Sequence, residues 1–126
     1  MKTNATTRWG WLFLAACFFY QSVNAQRVTH YVNAAGTNPV SPYTTWATAA
    51  TNIQNAVNAA TSSDTVLVTN GIYTTGGYTS PDGTTTSVVV TNAVTLQSVN
   101  GFSASQINGG GTMRCVYSRW KLEDGR

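Results

Sequence analysis

With 126 residues the chain has room for one small domain. Its 7 basic and 4 acidic side chains give a net charge of +3, yet between Gln26 and Ser118 the charged residues are Arg27, Asp64, Asp82 and Arg114, which cancel. A nucleic-acid partner is excluded, because neutralising phosphates needs a basic face. The abundance of Thr, Asn, Ser, Gly and Val points instead to a mainly β structure with uncharged surfaces.

The first element is an address. Lys2 and Arg8 lie in a short polar start, Trp9 to Tyr20 (WGWLFLAACFFY) is a 12-residue apolar run, and Val23-Asn24-Ala25 places small residues before Gln26. This is the three-part grammar of a secretory signal peptide over residues 1–25, cleaved after Ala25. Twelve apolar residues are too few for a membrane span, which needs roughly 20, so no membrane association is predicted after cleavage. L-A-A-C at Leu14 to Cys17 offers a lipoprotein anchored at Cys17 as the second reading, although the apolar run continues past that cysteine. Either way the chain is predicted to be exported, secreted or held at the cell surface. Loss of the leader leaves Cys115 alone, so no internal disulfide and no metal-ligand spacing exist. Cys115 is expected to be a small buried apolar residue.

His30-Tyr31-Val32 is a short strand candidate, and Asn33 to Pro42 is a loop dense in Gly, Pro, Asn and Ser. A helix is predicted next, from Trp46 to Ala60 with Thr45 as its N-cap. At 100° per residue, Trp46, Ala49, Ala50, Ile53, Ala56, Val57 and Ala60 fall on one face, and Thr48, Thr51, Asn52, Asn55 and Asn58 on the other. Trp46 is expected as the large packing residue of that stripe, with a sugar-stacking platform as its alternative role.

Past Asp64 the period changes to that of strands. Thr65 to Val68, Ser87 to Val90, Val94 to Gln97, Gln106 to Asn108 and Met113 to Tyr117 are predicted strands, each expected to close at an Asn or Gly corner. V-L-V-T-N from Val66 recurs as V-V-V-T-N from Val88, 22 residues later. A period of roughly 20 to 45 residues is that of a solenoid, here about two to three coils with the helix capping the first. An antiparallel sandwich is the alternative. The last strand, Met113 to Tyr117, is expected to leave an open edge through which the chain self-associates.

A series of stretches carries a resemblance: Tyr31-Val32, Gly36-Thr37-Asn38-Pro39, Pro42-Tyr43, N-I-Q-N-A-V-N-A-A from Asn52, D-T-V-L-V from Asp64 and N-G-I-Y from Asn70. They resemble the N-terminal opening of secreted right-handed parallel β-helix proteins of the pectin lyase-like superfamily, nearest the family-nine pectate lyase type. V-T-L-Q-S-V-N-G and Q-I-N-G-G-G look like later strands of the same architecture. The resemblance spans Thr29 to Tyr117 and departs at Ser63, where that family usually has glycine. It implies a capping helix and the first coils over residues 26–118, and polysaccharide as the class of partner.

In the lyases the calcium ligands and the basic catalytic residue come from later coils, and no position here matches them. No catalytic, cofactor-binding or metal-binding residue is therefore carried over, and no cofactor is expected. Asp64 is read as a turn cap at the helix–strand junction, Asp82 as a turn residue, His30 as structural, and Arg114 as a solvated strand charge with contact to an anionic sugar as its alternative. Arg119, Lys121, Glu123, Asp124 and Arg126 crowd residues 119–126, a charged tail whose texture suggests truncation. The expected function is that of an N-terminal piece of a polysaccharide-binding or polysaccharide-processing β-helix protein without a catalytic site of its own. A non-enzymatic adhesin-like surface protein and a non-functional gene fragment are the alternatives.

Overall fold

The computed structural model describes residues 24–119. Most of the predicted signal peptide, with Cys17, and the residues beyond Arg119 lie outside the described residues.

Strands dominate and helix is sparse, and the sheets do not close into a barrel. The strands are β1 (Thr29–Val32), β2 (Thr65–Val68), β3 (Gly71–Tyr73), β4 (Tyr78–Thr79), β5 (Thr85–Val90), β6 (Thr95–Ser98), β7 (Ser105–Ile107) and β8 (Arg114–Ser118). They form three sheets ordered β1-β2-β6, β3-β7 and β4-β5-β8. Every pairing is parallel except β4 with β5, so the antiparallel sandwich does not describe them. The set β6, β7, β8 lies on the set β2, β3, β5, strand for strand.

Alternation decides what each strand buries. His30 and Val32, Val66 and Val68, and Thr86, Val88 and Val90 all point inward and are buried. The pairings His30 with Val66, Val66 with Leu96 and Val88 with Val116 keep one side chain above another of the same facing. Sharp corners separate the sheets. At Asn100-Gly101, for example, Gly101 takes φ 84, a region open to glycine at little cost.

The two valine-rich repeats do not stack on each other. Val66 belongs to β2 and Val88 to β5, in different sheets. Residues that do stack are 36 apart (Thr29 and Thr65), 30 apart (Thr65 and Thr95), 34 apart (Gly71 and Ser105) or 28 apart (Val88 and Val116). The 22-residue recurrence thus marks two similar approaches to a Thr-Asn corner, and the expected 22-residue spacing is corrected: stacked partners lie 28 to 36 residues apart. The strands β3 and β4 had no counterpart in the sequence reading, being short and, in β3, bearing the exposed Ile72.

The predicted helix is broken. A 3-10 turn occupies Trp46–Thr48, capped by the Thr45 side chain, and the α-helix α1 covers only Ile53–Ala59, capped by Asn52. Between them Ala50 forms a parallel bridge to Val32. Ala50 N–H donates to the Tyr31 carbonyl at 2.9 Å, Asn33 N–H to the Ala50 carbonyl at 2.8 Å, and Tyr31 N–H to the Tyr43 carbonyl at 2.7 Å. The unpaired edge of β1 takes these backbone groups for itself, which outweighs local helix propensity. The stripe survives the break: Ala49, Ala50, Ile53, Ala56, Val57 and Ala60 are buried. Trp46 is the exception, because the 3-10 turn rotates it out of the stripe and leaves it 42% exposed.

Packing then joins α1 to the strands. Ile53, Ala56 and Val57 share one core with Val32, Val66, Val68, Val88 and Val90. Gln54 is buried as well, and its amide makes a paired contact with β5. Val89 N–H donates to Gln54 Oε1 at 2.7 Å, and Gln54 Nε2 donates to the Val89 carbonyl at 3.0 Å. A side chain here completes the ladder of a strand.

The opposite end is less well covered. β6, β7 and β8 are each last in their sheet among the described residues. A cleft of about 100 Å3 opens there, lined by Ile53, Val68, Tyr73, Leu96 and Ile107 among others. Cys115 corrects an expectation: it is exposed. Its neighbours Arg114 and Val116 pair with the inward Thr86 and Val88, so Cys115 points to the other side of the strand.

Candidate functional site

Three polar groupings among the described residues bear on function. The first is buried. Asp64 begins the turn into β2, and its Oδ1 accepts from Val28 N–H at 2.9 Å. Its Oδ2 accepts from Thr61 N–H and from the Thr61 hydroxyl, both at 2.8 Å. His30 Nε2 lies 3.3 Å from the same oxygen, and His30 Nδ1 lies 2.7 Å from the Pro42 carbonyl, which fixes Nδ1 as a donor. The bonds from Val28 and Thr61 hold the Asp64 carboxyl well below the usual carboxylate range, against the opposing effect of burial.

A His–Asp pair invites comparison with acid–base machinery, but the geometry is that of a clamp. Both residues are 3% exposed. A relay needs a nucleophile on the far side of the imidazole, and that position is taken by a backbone carbonyl. The expected roles therefore hold and extend: Asp64 caps its turn, His30 is structural, and the two are partners across 34 residues. Neither residue's own neighbourhood in sequence signals that partnership.

The second cluster is the Ser80–Thr84 turn, where Gly83 N–H donates to the Ser80 carbonyl at 2.8 Å. Asp82 Oδ1 accepts from the Ser80 hydroxyl at 2.6 Å, the Thr84 hydroxyl at 2.7 Å and Thr84 N–H at 3.1 Å. These bonds, from Ser80 first, hold the Asp82 carboxyl below its usual range. Arg114 Nη1 donates to Asp82 Oδ2 at 2.9 Å. Arg114 is exposed on its strand as expected, yet it is ion-paired rather than purely solvated. No group of three or more His, Cys, Asp or Glu that would hold a metal occurs among the described residues.

The third cluster is a surface. Thr29, Thr65 and Thr95 pair across β1, β2 and β6, and Tyr31, Leu67 and Gln97 do the same two residues on. They alternate with the inward His30, Val66 and Leu96, so all six face outward. Trp46 extends the second row, its ring 4.4 Å from that of Tyr31 and tilted by 60°. The strands under this face contribute no charged side chain to it. Sequence reasoning raised Trp46 as a stacking platform, but only the register reveals the rows beside it.

Among known proteins, no family, no curated protein and no solved structure matches this chain.

Proposed function

We propose that residues 26–118 form the cap and first coils of a parallel β-helix in an exported protein of the polysaccharide-binding type. The observation that carries this reading is the in-register parallel stacking of β1-β2-β6, β3-β7 and β5-β8 in one repeating order. Stacking of this kind turns each outward position into a ladder of like spacing, about 4.8 Å from strand to strand. Such ladders are flat, rigid and here rich in hydroxyl and amide groups, which suits an extended polymer that itself displays hydroxyls. The buried His–Asp clamp, the core and the covered edge of β1 serve to hold the ladders in place. The signal-peptide grammar of residues 1–25 supports export, and the resemblance to pectin lyase-like β-helices supports polysaccharide as the partner. Affinity electrophoresis of the purified chain through gels containing neutral or acidic polysaccharides tests the reading. Retarded migration in at least one is expected, and unretarded migration in all of them contradicts it.

A further inference from the structure

The geometry points to one face, the outer side of β1-β2-β6 with Trp46, as the site for a neutral pyranose polysaccharide, an inference that rests on the polysaccharide-binding reading and gives it a place and a ligand class. Trp46 is the largest side chain here whose burial the fold leaves incomplete, at 42% exposed. Its contact with Tyr31 occupies part of the indole and fixes its direction. An indole held in this way presents an apolar face at low cost in side-chain entropy. One face of a pyranose ring is a patch of C–H groups, which lies flat on such a surface, while its hydroxyls point sideways.

Sideways lie the right groups. Gln97 stands in the row of Tyr31, about 10 Å away at two strand spacings. The hydroxyls of Thr29, Thr65 and Thr95 form the parallel row beside it. An aromatic platform with hydroxyl and amide groups beside it pairs an apolar contact for the ring with hydrogen-bond partners for its edge. Charge selects within the glycans: a carboxylated polymer needs cations along its length, and the rows of Thr, Tyr, Leu, Gln and Trp supply none, Arg27 standing just before Thr29 as a single exposed cation at their end. One cation at the end of the rows does not match a carboxylate on every sugar, so the face favours a neutral chain over an acidic one.

Co-sedimentation of the full-length chain with cellulose, xylan and mannan, and binding to a polygalacturonate gel, test the inference. Wild type is expected to bind at least one of the three neutral polymers, and more tightly than polygalacturonate. Trp46→Ala should weaken that binding at least tenfold and Gln97→Ala several-fold. Phe102→Ala, at a residue 95% exposed outside these rows, should change it less than twofold. Binding unaffected by Trp46→Ala, or lost equally with Phe102→Ala, overturns the site while leaving the polysaccharide reading intact. Retention by polygalacturonate alone overturns the neutral ligand class, and retention by no polymer overturns both site and reading. Should Trp46→Ala lower the melting temperature, the double variant Gln97→Ala with Thr65→Ala decides, since neither side chain enters the core: unchanged binding in it overturns the site.

Discussion

Asp64 ties three separate pieces of chain together through one carboxylate: the segment before β1, the turn after α1, and His30. Removing it takes the acceptor from the part-buried Val28 and Thr61 donors and leaves the buried His30 without its partner, so Asp64→Ala is expected to cost about 3 kcal/mol in chemical denaturation at pH 7. Its carboxyl ionises in the fold below its ordinary value. The stabilisation it provides is therefore complete above about pH 4, the unfolded value, and is lost as pH falls from there toward the folded one. The gap between melting curves of wild type and Asp64→Ala should accordingly narrow steadily as pH falls from about 4 to about 2, and a constant gap over that range would count against the clamp. Ser63, just before it, adopts φ 79. A non-glycine residue there carries a cost of about 1 kcal/mol, so Ser63→Gly should stabilise by a fraction of that and Ser63→Val should destabilise. Here the sequence was informative in an indirect way, since glycine is what the resembled family places at this position. The Asp64–His30 pairing, by contrast, was unreadable, because it depends on β1 and β2 lying side by side.

Helix α1 holds the core through Ile53, Ala56 and Val57 and turns Asn55 to solvent. Ile53→Ala should cost about 3 kcal/mol through lost burial and a residual cavity. Asn52→Ala removes the side chain that accepts from Asn55 N–H at 2.8 Å, and should cost about 1 kcal/mol. Asn55→Ala should stay within about 0.5 kcal/mol. Urea titrations of the three variants check the order, and equal losses at Ile53 and Asn55 would remove the case for a one-sided helix. The stripe was legible in advance because 3.6-residue spacing is a local property. The break at Ala49 to Thr51 was not, because the competitor for those backbone groups was the edge of β1, twenty residues upstream. Gln54 shows the same limit: nothing local distinguishes it from Asn55, yet one completes the ladder of β5 and the other faces water.

At the scale of the molecule the two ends differ. Segment 43–50 closes the edge of β1, whereas β6, β7 and β8 each end a sheet among the described residues. Unpaired edges template pairing with another chain, so the purified protein should self-associate, with a light-scattering mass that rises with concentration. A strictly monomeric protein at high concentration would contradict this. The β-rich character and most strands were legible from alternation and corner residues. The stacking distance was not, because the valine repeat advertised 22 residues while the stacked partners lie 28 to 36 apart (Val88 to Val116, Thr29 to Thr65). Strands distant in sequence lie parallel and in register, and nuclear Overhauser contacts in the isotopically labelled protein read this directly. Parallel pairing predicts contacts between amide and α protons linking β1 to β2 and β2 to β6 in the register His30, Val66, Leu96, without close α-proton pairs between those strands. Strong α-proton to α-proton contacts between β2 and either neighbour, the mark of antiparallel pairing, would contradict it.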